Sequence, residues 1–198
     1  MKVNFLLIIV LFLFIGSVNA TAKLEPQVLV MQVADETILR LQRDKVLIDK
    51  DPKYVHKVID ELLLPHFDFK KMSKWVLGKY WRKAKPAQRD AFTDEFKSLL
   101  VRTYANALLE YSEQKIKYLP FRGKLESGDV TVRSEIDQPG GFPIPINYRL
   151  HLLTNQWKVY DVSIDEISLI ANYRSSFSRQ IRKSGIDKLI QRLADKNQ

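Results

Sequence analysis

The spacing of apolar residues changes twice along the chain and divides it into three parts. In the first part, apolar residues recur every three or four positions, as on one face of an amphipathic helix. Proline and glycine interrupt this pattern and mark where helices begin and end. The predicted helices run from Pro26 to about Lys50, from Asp51 to Pro65, from Phe67 to about Gly78, and from Pro86 to about Tyr111.

In the second part apolar and polar residues alternate, which is typical of half-buried strands. The predicted strands are Lys115 to Phe121, Asp129 to Asp137, Ile144 to Leu152 and Trp157 to Ile164. A Pro-Gly-Gly turn that begins at Pro139 joins the middle two. From Ile167 onward the helical spacing returns, with a predicted break at Ser184-Gly185. This order predicts an α+β fold in which helices cover one apolar, concave face of an antiparallel sheet of about four strands.

The first twenty residues have the pattern of a secretory signal peptide. A basic start precedes the apolar run Val3 to Ile15, and Val18 and Ala20 occupy the two positions that a signal peptidase inspects. Cleavage after Ala20 is favoured over cleavage after Ala22, and residues 21–198 then form one domain. An uncleaved anchor is the alternative, but the run is shorter than the roughly 20 apolar residues of a membrane span. We expect an exported protein that is stabilised by its core alone, since the sequence has no cysteine.

Basic residues outnumber acidic ones, with 32 lysines and arginines against 23 aspartates and glutamates and a formal charge of +9. Such a surplus favours anionic partners: nucleic acid, an anionic membrane surface or an acidic protein patch. Export makes nucleic acid the least favoured of these. The cations around the start of the fourth helix are Lys79, Arg82, Lys83, Lys85 and Arg89. They form either a solvated basic loop or a dock for an acidic partner or an anionic headgroup.

Residue patterns that would indicate catalysis or metal binding are missing from the sequence. His56, His66 and His151 belong to no metal-ligand pair, and His151 falls on the outward phase of a strand. No G-x-S-x-G turn exposes a serine nucleophile, and neighbouring carboxylates such as Asp165-Glu166 are typical of solvated surface. We therefore expect no metal, no cofactor and no enzymatic activity.

The helix that begins at Pro86 carries a long apolar stripe. Its members are Phe92, Phe96, Leu99, Leu100, Tyr104, Ala107, Leu108 and Tyr111. A stripe of this kind usually faces a protein core, but the strands and the other helices also compete to bury apolar side chains against one small sheet. The start of the helix is unusual because Lys85, at the cap position, has no side-chain oxygen for the free amides. Gln88 is placed to accept a hydrogen bond in a capping box.

Two long segments resemble a known protein family. The segment LGKYWRKAKPAQRDAFTDEFKSLLVRTYA, from Leu77, and the segment WKVYDVSIDEISLIANYRSSFSRQIRKSG, from Trp157, are similar in order and content to the toluene-tolerance family of periplasmic phospholipid carriers of Gram-negative bacteria. Lys85 departs from the family, which commonly has threonine before the proline. The resemblance implies an NTF2-like fold with an internal pocket for acyl chains. It also implies shuttling of lipid between an outer-membrane lipoprotein with its porin and an inner-membrane ABC transporter that presents an MCE domain.

A phospholipid carrier must shield both acyl chains, since leaving about 30 methylene groups in water costs about 24 kcal/mol. We expect the lining of such a pocket to combine the helical stripe with the inward phase of the sheet. The candidate residues are Phe96, Leu100, Tyr104, Leu108, Val132, Ile136, Ile146, Tyr148, Leu150 and Val159. Periodicity does not separate residues that touch lipid from residues that only pack on protein.

Two other functions stay open at the level of sequence. A small-molecule enzyme on the same fold would need a buried acid or base in the apolar pocket, and the sequence offers His151 or Asp161 at best. A periplasmic adaptor that only binds proteins would instead have a solid core without a cavity.

Overall fold

The computed structural model describes residues 25–110, 114–138 and 140–197, so the predicted signal peptide, Tyr111 and Pro139 lie outside the described residues. The helices are α1 (Pro26–Arg43), α2 (Lys45–Lys50), α3 (Tyr54–Leu62), α4 (Phe69–Leu77), α5 (Lys79–Lys83), α6 (Pro86–Glu110) and α7 (Leu169–Asn197). The strands are β1 (Ile116–Tyr118), β2 (Asp129–Ile136), β3 (Ile144–Leu153), β4 (Gln156–Ile164) and β5 (Ile167–Ser168). Single 3₁₀ turns occur at Leu64–His66 and Leu125–Ser127.

The α+β fold class predicted from the spacing is confirmed, with local differences in the helices. The first predicted helix is divided at Asp44 into α1 and α2. The second begins at Tyr54, after Asp51 has accepted a hydrogen bond from the Lys53 amide at 3.0 Å. Helix α5 was not predicted, because five residues are too short to display a helical period. None of the helices in the described ranges is long and apolar enough to cross a bilayer.

The five strands form one antiparallel sheet in the order β1-β2-β3-β4-β5. Each strand therefore pairs with its neighbours in sequence. Two-residue turns close the last two hairpins: Thr154 and Asn155 join β3 to β4, and Asp165 and Glu166 join β4 to β5, all with positive φ. The sheet has one strand more than the predicted four. The additional strand, β5, was not predicted because it is only two residues long.

A β-bulge in β4 places the side chain of Tyr160 on the opposite side of the sheet from that of Val159. Arg149 pairs with Asp161 and Leu150 pairs with Val159, so Tyr160 has no residue of its own opposite it on β3. The Tyr160 ring instead lies on the other side of the sheet, 5.7 Å from the ring of Trp75 on α4. Bulges commonly re-aim a side chain in this way.

Buried side chains form three clusters. The helical cluster joins α4, α5, α6 and α7 to Tyr160, and its largest buried members include Met72, Phe92, Phe96 and Leu189. The sheet cluster joins Val30 of α1 to Val130, Val132, Leu150, Trp157 and Val159. The N-terminal cluster joins Leu41, Ile48, Val55, Val58 and Ile59 of α1 to α3 with Ala105 of α6. The sheet thus has helices on both of its faces, α1 on one and α4 and α7 on the other.

Helix α7 is broken at Gly185, as predicted. Gly185 has φ 81° and ψ 167°, a conformation that is essentially restricted to glycine. The second half of α7 returns along α6, where Gln88 donates to Asp187 at 2.6 Å and Asn197 donates to Glu95 at 2.7 Å. This return places Leu189 and Leu193 in the helical cluster.

Candidate functional site

One face of the sheet is apolar across four strands, and we call it the apolar face. It consists of Ile116 and Tyr118 of β1, Val130, Val132, Ser134 and Ile136 of β2, Ile144, Ile146, Tyr148 and Leu150 of β3, and Val159, Val162 and Ile164 of β4. Register pairs these residues directly across the strands, so their side chains share one side. All six predicted strand residues, from Val132 to Val159, lie on this face.

The two ends of the apolar face differ in burial. At one end Val132, Leu150 and Val159 are almost wholly buried, within the sheet cluster that α1 covers. At the other end Ile136 and Ile144, which pair with each other, are only half-buried, as are Ile116 and Ile164 beside them. This half-buried end offers apolar surface to a ligand at little cost to the protein core.

The four predicted helix residues lie elsewhere. Phe96 and Leu100 are buried in the helical cluster, where the Phe96 ring lies 5.3 Å from that of Tyr173, and Tyr104 packs against the same cluster. Leu108 packs against the N-terminal cluster. The structure therefore does not bring the α6 stripe and the sheet residues into one lining, because α7 covers most of the stripe. Contact of any of the ten residues with lipid stays a prediction.

Three hydroxyl groups interrupt the apolar face, those of Tyr118, Ser134 and Tyr148. Ser134 is buried and donates to the Ile146 carbonyl at 3.2 Å. Burial raises the pKa of Tyr118 and also that of Tyr148, although for Tyr148 a hydrogen bond with Ser134 acts in the opposite direction. Sequence reasoning did not select Tyr118, although its position two residues after Ile116 places it in the inward phase of the strand.

A cavity of about 290 Å³ lies between α6 and the two halves of α7. It is lined by Leu99, Asn172, Tyr173, Ser176, Phe177, Gln180, Arg192, Leu193 and Lys196. None of the ten predicted lining residues contributes to it. Its lining includes several polar and charged side chains, whereas the pocket expected for acyl chains is apolar. The cavity reflects the angle between the two halves of α7 rather than the space beside the sheet.

The residues on which an enzyme would depend lie on the opposite face of the sheet. His151 lies on the outward phase of β3, as predicted, and its Nε2 atom lies 2.9 Å from Asp68, which also caps α4. Asp161 is buried and accepts hydrogen bonds from the Ser168 hydroxyl at 2.7 Å and from the Ile170 amide at 3.2 Å. Both side chains are engaged in structural contacts outside the apolar face. Within the described ranges, no group of three or more histidine or carboxylate side chains is placed to hold a metal ion.

The family model of the MlaC protein matches residues 31–195 of the chain. The chain belongs to the MlaC family. The Haemophilus influenzae intermembrane phospholipid transport system binding protein MlaC is 31% identical to it over 194 residues, which cover 95% of this chain and 89% of the relative. Toluene tolerance protein Ttg2D of Pseudomonas putida is 29% identical over 164 residues, which cover 82% of this chain and 75% of the relative.

A solved structure of similar fold comes from Ralstonia solanacearum. It is a phospholipid-binding protein in complex with a phospholipid, 33% identical to this chain, with a TM-score of 0.81. The similarity covers 88% of this chain and 97% of the Ralstonia protein. The resemblance to the toluene-tolerance family that the sequence suggested is therefore confirmed.

The predicted basic residues of this MlaC-family chain lie together around α5. Lys79, Arg82, Lys83 and Lys85 are exposed. Arg89 is half-buried, where its guanidinium donates to the Trp81 carbonyl at 2.9 Å and lies 5.4 Å from the Trp81 ring. Four cations therefore face solvent, whereas Arg89 fixes the junction between α5 and α6.

The same junction confirms the predicted role of Gln88. Its side-chain oxygen accepts a hydrogen bond from the Lys85 backbone amide at 2.9 Å, which is one half of a capping box. The other half needs a side-chain oxygen at the cap position, and Lys85 has none. The α6 start is therefore capped from one side only.

Proposed function

We propose that this protein is a periplasmic phospholipid carrier that holds acyl chains against the half-buried end of its apolar face. The observation that supports this most strongly is the similarity, at 33% identity and a TM-score of 0.81, to a protein solved with a bound phospholipid. The apolar face supplies the matching chemistry on this chain. In this proposal residues 1–20 are a signal peptide that directs export, and residues 21–198 are the single lipid-binding domain.

The magnitude of the hydrophobic effect requires enclosure and controlled release. Two acyl chains left in water cost about 24 kcal/mol for about 30 methylene groups, so lipid does not leave such a carrier spontaneously at a useful rate. Release instead needs an acceptor with an apolar surface of its own. The carrier therefore functions by docking to donor and acceptor complexes.

The partners in this proposal are an outer-membrane lipoprotein with its porin and an inner-membrane ABC transporter that presents an MCE domain. Shuttling between them maintains the lipid asymmetry of the outer membrane. The exposed cations Lys79, Arg82, Lys83 and Lys85 serve as the docking surface, with Arg89 supporting it. Clustered charge of one sign steers encounter with an oppositely charged patch and raises the association rate.

Native mass spectrometry of the purified mature protein, followed by organic extraction, tests lipid binding directly. We expect one phospholipid per chain in protein isolated from cells. Protein that is empty when isolated, and that also takes up no phospholipid from vesicles of mixed phosphatidylethanolamine and phosphatidylglycerol, would contradict the proposal.

A matched pair of substitutions on β2 tests the place of binding. Ile136 is half-buried on the apolar face, so Ile136→Asp puts a carboxylate where acyl chains would lie, and we expect bound lipid to fall at least about tenfold. Thr131→Asp makes a similar change at an exposed position on the opposite phase of the same strand and should retain lipid. Leu150 is less suitable, because it is fully buried and an aspartate there would disturb folding itself. Equal lipid loading of the two variants would remove the half-buried end from the site.

A further inference from the structure

The Tyr118 hydroxyl is buried and has no hydrogen-bond partner within the described part of the chain. Other tyrosines with enclosed hydroxyls are paired: Tyr160 donates to Asp129 at 2.8 Å and Tyr54 donates to Asp44 at 3.1 Å. Burial of an unpaired hydroxyl is unfavourable, and native proteins usually avoid it. An unpaired hydroxyl on a largely apolar face, where the Ser134 hydroxyl is paired, indicates a partner that is not part of the protein fold.

Register places Tyr118 in a band of hydroxyls across three strands. Tyr118 pairs directly with Ser134, and Ser134 in turn has a hydrogen bond with the Tyr148 side chain. The single Ser134 proton is directed to the Ile146 carbonyl, so Ser134 cannot also donate to Tyr118. The band separates the deeply buried end of the apolar face, at Leu150, from its half-buried end.

Tyr118 acts as a hydrogen-bond donor over the whole physiological pH range. Burial raises its pKa above the usual value for tyrosine, and Tyr148 and Asp35 contribute smaller effects in the same direction. A neutral phenol in an apolar setting matches a neutral acceptor, because burying a charged phosphate beside it would leave that charge unpaired. The part of a phospholipid that joins an apolar chain to a neutral acceptor is the ester carbonyl.

We propose that Tyr118 is a specificity-determining residue that donates a hydrogen bond to an acyl ester carbonyl oxygen of bound phospholipid. This inference rests on the proposed carrier function. It identifies the ligand class as ester-linked glycerophospholipids, in preference to ether-linked lipids of the same chain length and headgroup. The ether oxygen is a weaker acceptor and is displaced from the carbonyl position, so it does not satisfy the same donor.

Competition between ester-linked and ether-linked lipid tests the proposal. The protein is loaded with a fluorescent phospholipid, which is then displaced by diacyl or dialkyl phosphatidylethanolamine of matched chain length. We expect wild type to prefer the diacyl lipid by roughly five- to tenfold, the contribution of one hydrogen bond. Tyr118→Phe should reduce this preference to near unity while retaining affinity for the dialkyl lipid.

Control variants separate a specific role from a structural one. Tyr80→Phe removes a hydroxyl from α5, away from the apolar face, and should leave the preference unchanged. Tyr148→Phe removes a hydroxyl on the same face that is already engaged with Ser134, so it should leave the preference unchanged. Lipid-free Tyr118→Phe should unfold at the same temperature as wild type or slightly higher, because the hydroxyl that it loses is buried and unpaired within the described fold. A clear loss of stability in Tyr118→Phe would reveal a protein or water partner and contradict the inference.

The outcomes also distinguish this inference from the function on which it rests. Equal displacement of the fluorescent lipid from wild type by diacyl and dialkyl lipids would overturn the role of Tyr118 and leave the carrier function intact. A wild-type protein that retains neither lipid would instead contradict the carrier function. A preference for ester lipids that persists in Tyr118→Phe would place ester recognition elsewhere on the protein.

Discussion

At the scale of single residues, Asp44 is a densely contacted carboxylate. It lies between α1 and α2 and accepts hydrogen bonds from Arg40, Arg43 and Tyr54. The Arg40 hydrogen bond, followed by that of Arg43, lowers the pKa of Asp44 to about 2. The charged form of Asp44 is therefore part of the folded state at the residue where α1 ends and α2 begins.

The Asp44 contacts predict a pH dependence of stability. A lowered folded-state pKa means that the stabilisation is fully present above the unfolded value of 3.8 and is lost as pH falls toward about 2. Asp44→Asn should therefore melt at a lower temperature than wild type near neutral pH, and the difference should shrink through this window. Thermal unfolding followed by circular dichroism measures it.

A matched control for Asp44 is Asp49→Asn. Asp49 makes an exposed pair with Lys45 at 3.2 Å, with both side chains more than half exposed, and such pairs contribute little. Asp49→Asn should follow wild type at every pH. A constant difference between Asp44→Asn and wild type down to the lowest pH would contradict the assigned role of the Asp44 charge.

At the scale of elements, the sequence predicted the helices and strands that are long enough to show a regular apolar spacing or that begin or end at proline or glycine. The starts at Pro26 and Pro86, the two long strands β2 and β3, and the break at Gly185 follow from proline, glycine and alternation, which act locally. Helix α5 and strand β5 were missed because they are shorter than one clear period. The division at Asp44 was missed because the apolar spacing continues across it, whereas Asp44 is held by side chains from α1 and α3 that meet only in the folded protein.

The candidate site was predictable only in part, for a related reason. Alternation correctly assigned Val132, Tyr148 and Leu150 to one face of the sheet, since side-chain direction in a strand is fixed by position. The stripe on α6 was correctly recognised as apolar, but periodicity contains no information on which element covers it. Phe96 faces α7 instead of the sheet for this reason. Tyr118 shares its phase with Ile116 but has an unusual property, an unpaired hydroxyl, that only three-dimensional packing reveals.

The break in α7 gives a prediction about Gly185. A methyl group added at this position would meet no atom of the described residues within 4 Å, so Gly185→Ala is opposed by backbone conformation alone, at a cost of about 1–3 kcal/mol. Chemical denaturation should detect this loss, together with weaker packing of Leu189 and Leu193. Lys183→Ala, an exposed change in the adjoining turn, should have almost no effect. Unchanged stability of Gly185→Ala would mean that the two halves of α7 do not need this backbone conformation.

At the scale of the whole molecule, the net charge of +9 comes from cations on several elements, and only some of them lie on the proposed docking surface. The cations on α5 and at the start of α6 lie beside a rigid junction, where Trp81 is held by Arg89 and by the helical cluster. Another group of exposed lysines lies on α2, on α3 and between them, where these helices pack in the N-terminal cluster. If docking depends on local charge and not on the total, the two groups should behave differently.

Charge reversal tests the proposed docking surface. Changing Lys79, Arg82, Lys83 and Lys85 to glutamate should leave lipid loading intact, because none lies on the apolar face, but should slow association with the purified inner-membrane transporter by about tenfold or more at low salt. Surface plasmon resonance at two ionic strengths measures this rate. Reversal of Lys45, Lys50, Lys53 and Lys57 changes the total charge equally and should have a much smaller effect. Equal slowing by both sets would assign docking to net charge.

The sequential order of the strands has a consequence for how the chain folds. Each hairpin closes between neighbours and needs no distant segment. Helices depend on distant segments. In α1 the Gln27 side chain donates to the Leu119 carbonyl 92 positions later, and Val30 packs on strands that are synthesised later still. During synthesis from the N-terminus, the apolar side of α1 therefore stays exposed to water until the sheet has formed.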